Sequence, residues 1–145
     1  MRRFVVIALV IAFSMGMIPN AYASNQEITV QVNGKQVQSD VSPINVDGSV
    51  MLPFRAILNA VGVTDHEIVW REKSKSMEIK HNNKYVFLVI GSRGAVVDDA
   101  MIMLNAVPFI QQNRTMIPIR FIAEVFGAEV QWNENTKTVS IKTKK

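Results

Sequence analysis

Met51–Gly62 reads MLPFRAILNAVG, and Met116–Gly127, 65 positions later, reads MIPIRFIAEVFG. Aligned on their proline and glycine, Met51, Pro53, Arg55, Ile57 and Gly62 stand against Met116, Pro118, Arg120, Ile122 and Gly127. The agreement continues past the glycine. With Thr64, Asp65 and His66 taken as an insertion, Glu67, Trp70, Glu72, Lys75, Ile79 and Lys80 fall opposite Glu129, Trp132, Glu134, Lys137, Ile141 and Lys142. Two separated blocks that agree across one small gap predict an internal duplication, with repeats over about 28–92 and 93–145.

Each phrase reads as a short helix. Proline fits the first helical position, where its missing N–H needs no partner, and glycine fits the position just past the end. Phe54, Ile57, Leu58 and Val61 share one face at helical spacing, as do Ile119, Ile122, Ala123 and Phe126. A helix this short is marginal alone and must pack on something. The following blocks supply strands: Glu67–Trp70 with Ser76–Lys80, and Glu129–Trp132 with Thr138–Lys142, alternate like two β-hairpins. Upstream, Ile28, Val30 and Val32 alternate into Asn33-Gly34, a tight-turn signal, with Val37 on the return strand. Tyr85–Ile90 is a continuously apolar strand, Met101–Leu104 with Val107–Ile110 reads as the second copy of the first hairpin, and Val50–Leu52 and Thr115–Ile117 lead into the helices. The fold class is α+β: an antiparallel sheet with short helices packed on it, built from two pseudo-repeats of hairpin, strand, helix, hairpin.

The chain start is read separately. Arg2 and Arg3 form a basic region, Phe4–Ile18 is an uncharged apolar run, and Ala21-Tyr22-Ala23 offers a small-x-small cleavage pattern. This predicts a signal peptide over 1–23, cleaved after Ala23, and a mature domain over 24–145. A membrane anchor is the alternative, but Pro19 and Asn20 interrupt the run short of the roughly 20 residues that span a bilayer. The expected localisation is therefore secreted or attached to a bacterial cell surface, with no stable membrane span after cleavage.

Composition narrows the function classes. With 16 basic and 12 acidic residues, losing Arg2 and Arg3 leaves a mature net charge of about +2, whose excess lies in Lys142, Lys144 and Lys145. Basic residues elsewhere alternate with acids, so no nucleic-acid partner is indicated. Without cysteine there is no disulfide framework and no thiolate chemistry. His66 and His81 are the only histidines, too few for a structural zinc set, and both read as solvated loop residues. Asp98-Asp99 reads as a turn, and Asn113-Arg114-Thr115 as a chance glycosylation sequon. No glycine-rich phosphate loop precedes a helix and no serine sits in a nucleophile elbow, so no catalytic, cofactor-binding or metal residue is expected.

The repeated side chains are the candidates for function. Arg55 and Arg120 each sit in a first helical turn, where a cation faces the positive end of the helix dipole. Each guanidinium either clamps helix to sheet by a fork of hydrogen bonds to carbonyls or a carboxylate, or contacts an anion or carbohydrate. The clamp is the expectation. Trp70 and Trp132 end matching strands; an indole there closes the edge of a small core, with a sugar-stacking platform as the alternative.

LPFRAILNAVGV and IPIRFIAEVFGAEVQWNENTKTVSI, with VNGKQV near the start and NRTMIP before the second helix, resemble the copper amine oxidase N-terminal domain-like family, also called stalk domains. The resemblance runs from about Ile28 to Lys142. It implies an extracellular, non-catalytic α+β module of bacteria, often attached to surface or hydrolytic proteins; the partner itself stays unknown in the sequence, with cell-wall glycan and another envelope protein as the two candidates. It implies no oxidase activity, because that reaction resides in a separate domain with three copper-binding histidines and a quinone-forming tyrosine. The expected structural positions of the repeat are Pro53, Arg55, Gly62 and Trp70, and Pro118, Arg120, Gly127 and Trp132.

Overall fold

The computed structural model describes residues 27–144. The expected signal peptide, 1–23, lies outside them. In chain order the strands are β1 (Thr29–Val32), β2 (Lys35–Gln36), β3 (Ile44–Val46) and β4 (Ser49–Pro53), followed by helix α1 (Phe54–Ala60) and a 3-10 turn (Asp65–Glu67). Then come β5 (Ile68–Arg71), β6 (Ser76–His81), β7 (Lys84–Val89), β8 (Gly94–Val97), β9 (Ala100–Met103), β10 (Phe109–Gln111) and β11 (Arg114–Pro118), helix α2 (Ile119–Val125), β12 (Glu129–Asn133) and β13 (Thr138–Lys142). Among the described residues the fold is α+β, mostly antiparallel sheet with two helices.

Among the described residues the strands form three sheets, ordered β12-β13-β1-β2, β10-β11-β4-β3 and β5-β6-β7-β8-β9. Among their strand pairs, β1 with β13 is parallel, a departure from the expected antiparallel sheet that ties the start of the described chain to its end. The third sheet has one strand more than either of the others, with β7 at its centre. In the middle sheet, β4 and β11 pair antiparallel with Leu52 opposite Ile117, Met51 opposite Pro118 and Pro53 opposite Met116.

Turn chemistry sets these registers. Asn33-Gly34, Asp47-Gly48, Asn82-Asn83 and Gln112-Asn113 each place two adjacent residues at positive φ, the twist that joins paired strands tightly. The same chemistry overturns one expectation. Met101–Leu104 and Val107–Ile110 do not pair with each other: β9 folds back on β8 across Asp98-Asp99, and β10 on β11 across Gln112-Asn113. Asp98 fixes its turn by accepting a hydrogen bond from the Tyr85 N–H at 3.0 Å and one from Lys84 Nζ at 3.0 Å.

Each helix begins directly after a strand-ending proline, so Pro53 and Pro118 stand one residue before the helix instead of inside it. Gly62 and Gly127 close both helices at φ 97° and 78°. Gly62 N–H donates to the Asn59 carbonyl and Val63 N–H to Leu58, and Gly127 and Ala128 repeat this with Glu124 and Ala123. This is the two-bond closure that favours glycine at the left-handed position. Phe54, Ile57 and Leu58 of α1 and Ile119, Ile122 and Ala123 of α2 are buried. They share one core with Leu52, Ile117, Met77, Leu88, Val139 and Ile141, so both halves of the chain bury apolar surface in the same place. On the opposite face of β4 and β11, Val41, Met51, Ala106 and Met116 form a smaller cluster. No helix among the described residues is long and apolar enough to cross a membrane.

Candidate functional site

The strand ladder between β4 and β11 carries each helix start toward the hairpin turn of the other half, and this creates two clefts. The first, about 480 Å³, is walled by Pro53, Phe54, Arg55 and Trp70 on one side and by Ile110, Asn113 and Arg114 of the β10–β11 hairpin on the other. The second, about 300 Å³, is walled by Pro118, Ile119, Arg120, Phe121 and Trp132, facing Asn45, Gly48 and Val50 of the β3–β4 hairpin, with Ile102 and Met103 of β9 at its rim. The repeated residues therefore converge in pairs: Arg55 with Trp70, and Arg120 with Trp132.

Both tryptophans are held alike. Trp70 Nε1 donates to Glu72 Oε2 at 2.8 Å and Trp132 Nε1 to Glu134 Oε2 at 2.6 Å. The second oxygen of each carboxylate pairs with an amine, Lys75 for Glu72 and Lys137 for Glu134. The lysine first, and the indole N–H second, hold each glutamate below its usual carboxylate range. Both indoles are half-buried, resting partly on the main core and partly lining a cleft, so they close the core edge and offer a surface at once.

The arginines do not form the expected clamp. Arg55 is 66% exposed and meets Asp65 at 3.8 Å; Arg120 is 52% exposed and meets Glu124 at 3.7 Å. The reason is angular. At about 100° per residue, the position after Phe54 or Ile119 turns out of the buried stripe and toward solvent. Arg55 instead lies over the Phe54 ring, 5.3 Å from its centroid.

The first cleft is internally satisfied. Phe54 and Trp70 stack at 6.5 Å and 19°. Across its mouth Arg114 reaches Asp40 at 2.6 Å through Nη2 and 2.8 Å through Nε, and that guanidinium holds the Asp40 carboxyl below its usual range. Neither Asp40 nor Arg114 carried a sequence signal for this role, because they lie 74 residues apart and meet only in the folded chain, Asp40 in the loop between β2 and β3 and Arg114 on β11.

His81 is also corrected. It is half-buried, 2.8 Å from Glu67 Oε1 through Nδ1 and 2.8 Å from Asn82 Nδ2 through Nε2, with its ring edge-on to Phe126 at 5.5 Å. His66 is exposed in the 3-10 turn. Among the described residues no three His, Cys, Asp or Glu side chains converge on a common point.

Residues 31–141 match the family described as "Copper amine oxidase N-terminal domain". A curated protein of Brevibacillus choshinensis described as "Protease inhibitor" is 22% identical over 114 residues, which cover 79% of this chain and 34% of that protein. The chain thus spans about a third of the length of that relative.

Proposed function

The chain belongs to the copper amine oxidase N-terminal domain family, and from that premise we propose that it is an exported, non-catalytic structural or interaction module of the bacterial cell envelope. The observation that carries the reading is the placement of the repeated Arg and Trp positions in two clefts that span both halves of the chain. The oxidase name brings no copper chemistry to these residues. His81 spends both ring nitrogens on Glu67 and Asn82, and His66 stands apart from it in the exposed turn. Export rests on the Arg2-Arg3, Phe4–Ile18 and Ala21-Tyr22-Ala23 sequence at the chain start.

The two halves are read as products of one duplication. β1, β3, β4 and α1 each stand 65 residues before β8, β10, β11 and α2, and the β4–β11 ladder pairs counterpart positions reciprocally, as a two-fold interface does. In this reading β7 is the unrepeated strand, intercalated between β6 and β8.

A second reading is favoured by the Arg–Trp convergence itself: a carbohydrate- or peptidoglycan-binding module, since aromatic faces beside forked donors suit sugar rings. The relative named as a protease inhibitor favours a module that meets other macromolecules, although it shares only part of its length with this chain.

Expression of the full chain in a bacterium, with fractionation, intact mass and a peroxide-release assay on primary amines with added copper, tests the main reading. The expected result is an extracytoplasmic species starting at Ser24 that turns over no amine. A species retained in the cytoplasm, or copper-dependent peroxide release, would overturn it.

A further inference from the structure

We propose that the second cleft, at Arg120 and Trp132, is the ligand-binding one of the two, and that it takes a single neutral sugar ring of a glycan chain. This rests on the carbohydrate reading above and assigns it to one place.

The first cleft serves as an internal control, because the two have the same construction and different contents. In the first, Phe54 occupies the Trp70 face, Arg55 lies over Phe54, and the Arg114–Asp40 ion pair bridges the mouth. Its aromatic and charged groups are already engaged with one another. In the second, Ile119 stands where Phe54 does, so Trp132 has no stacked ring, and Phe121 replaces Ala56 to bring a further aromatic wall. Ser49 replaces Arg114, so no ion pair bridges this mouth. Asn45 replaces Ile110 at the rim; its Oδ1 accepts from the Gly48 N–H at 2.9 Å, which leaves the Nδ2 hydrogens to donate.

These substitutions change the chemistry in one direction. Glu134 holds the Trp132 indole N–H, which orients the ring before any ligand arrives, while Lys137, which does not line the cleft, lies 6.0 Å over the ring. A sugar presents a C–H face to such a ring and hydroxyls around its edge. Arg120 and Glu124, 3.7 Å apart and half exposed, offer a forked donor beside an acceptor, the pattern that adjacent hydroxyls satisfy. A fixed aromatic costs little ordering entropy on binding. The volume of about 300 Å³ lies at the small end of ligand sites, the size of one ring and its immediate neighbours. Ile102 and Met103 at the rim would instead favour an extended apolar peptide, which is the competing outcome.

The chain contains two tryptophans, so an ¹⁵N correlation spectrum of the mature protein carries two indole resonances, assigned with Trp70→Phe and Trp132→Phe. Titration uses N-acetylglucosamine oligomers and cello-oligosaccharides, with an apolar decapeptide in parallel. The expected result is a saturable shift of Trp132 and of the Arg120 amide with a sugar, no movement of Trp70, and at least tenfold weaker binding in Arg120→Ala. That variant removes an exposed side chain, so its fold is retained. No saturable sugar shift, equal movement of Trp70, or a Trp132 response to the peptide alone would each overturn the proposal. Retention of the protein on purified cell walls without a sugar shift overturns this cleft while leaving the envelope module standing; loss of both overturns both.

Discussion

Leu52 lies directly opposite Ile117 at the centre of the β4–β11 ladder, and both side chains are fully buried in the shared core. In the aligned phrases the two are counterparts, each one residue before the proline that launches a helix. The contact therefore joins the halves of the chain and aims each helix start at the turn of the opposite hairpin, which is what builds both clefts.

If that pair holds one core together, Leu52→Ala and Ile117→Ala each cost about 2–5 kcal/mol, the range for deleting a fully buried aliphatic side chain. Urea unfolding followed by fluorescence and by far-UV dichroism should give one coincident transition for both probes. Two separated transitions would mean that the halves are independent lobes.

Gly62 and Gly127 hold φ of 97° and 78°, which a residue with a Cβ adopts at a cost. Gly62→Ala and Gly127→Ala should each lower stability by about 1 kcal/mol, read as a fall in Tm. An unchanged Tm in both would contradict the helix closure described.

The exposed arginines lead to a different expectation. Arg55→Ala and Arg120→Ala should change the urea midpoint by less than about 0.5 kcal/mol equivalent, since surface ion pairs contribute little. A loss of several times that in either variant would restore the helix-to-sheet clamp.

Acid sensitivity follows from Glu67. The Thr64 N–H first, then His81 and the Thr64 hydroxyl, depress its pKa from 4.5 to about 2. A folded pKa below the unfolded one contributes stability that is full above about pH 4.5 and lost as pH falls toward 2. Asp40, Glu72, Asp98 and Glu134 are shifted the same way. Wild type should therefore lose stability as pH falls below 4.5, and Glu67→Gln should show a smaller loss over that window. Parallel pH profiles for the two would contradict this.

The local elements were legible in the residues because their causes are local. Asn33-Gly34 announced its turn, the Pro-to-Gly phrases announced α1 and α2, and Tyr85–Ile90 announced a strand that proves central, as β7 in the five-stranded sheet. The parallel pairing of Thr29–Val32 with Thr138–Ile141 left no such trace, because it depends on residues over a hundred positions apart. The clefts were hidden for the same reason. Arg120 and Trp132 were visible as repeated positions, but Asn45 reaches them only once Leu52 has settled opposite Ile117. The arginine clamp failed on a point the residues did contain: Arg55 and Asn59, like Arg120 and Glu124, are four apart and share the outward face of a helix whose buried stripe begins one residue earlier.

The binding isotherm of the mature chain on purified, protein-free bacterial cell walls, at physiological salt, tests the envelope module most directly. Saturable retention is expected, weakened at least tenfold in the Arg120→Ala, Trp132→Phe double variant and unchanged in Arg55→Ala. No retention at any wall concentration would contradict a wall-facing module, and retention indifferent to Arg120 and Trp132 would contradict the cleft as its means.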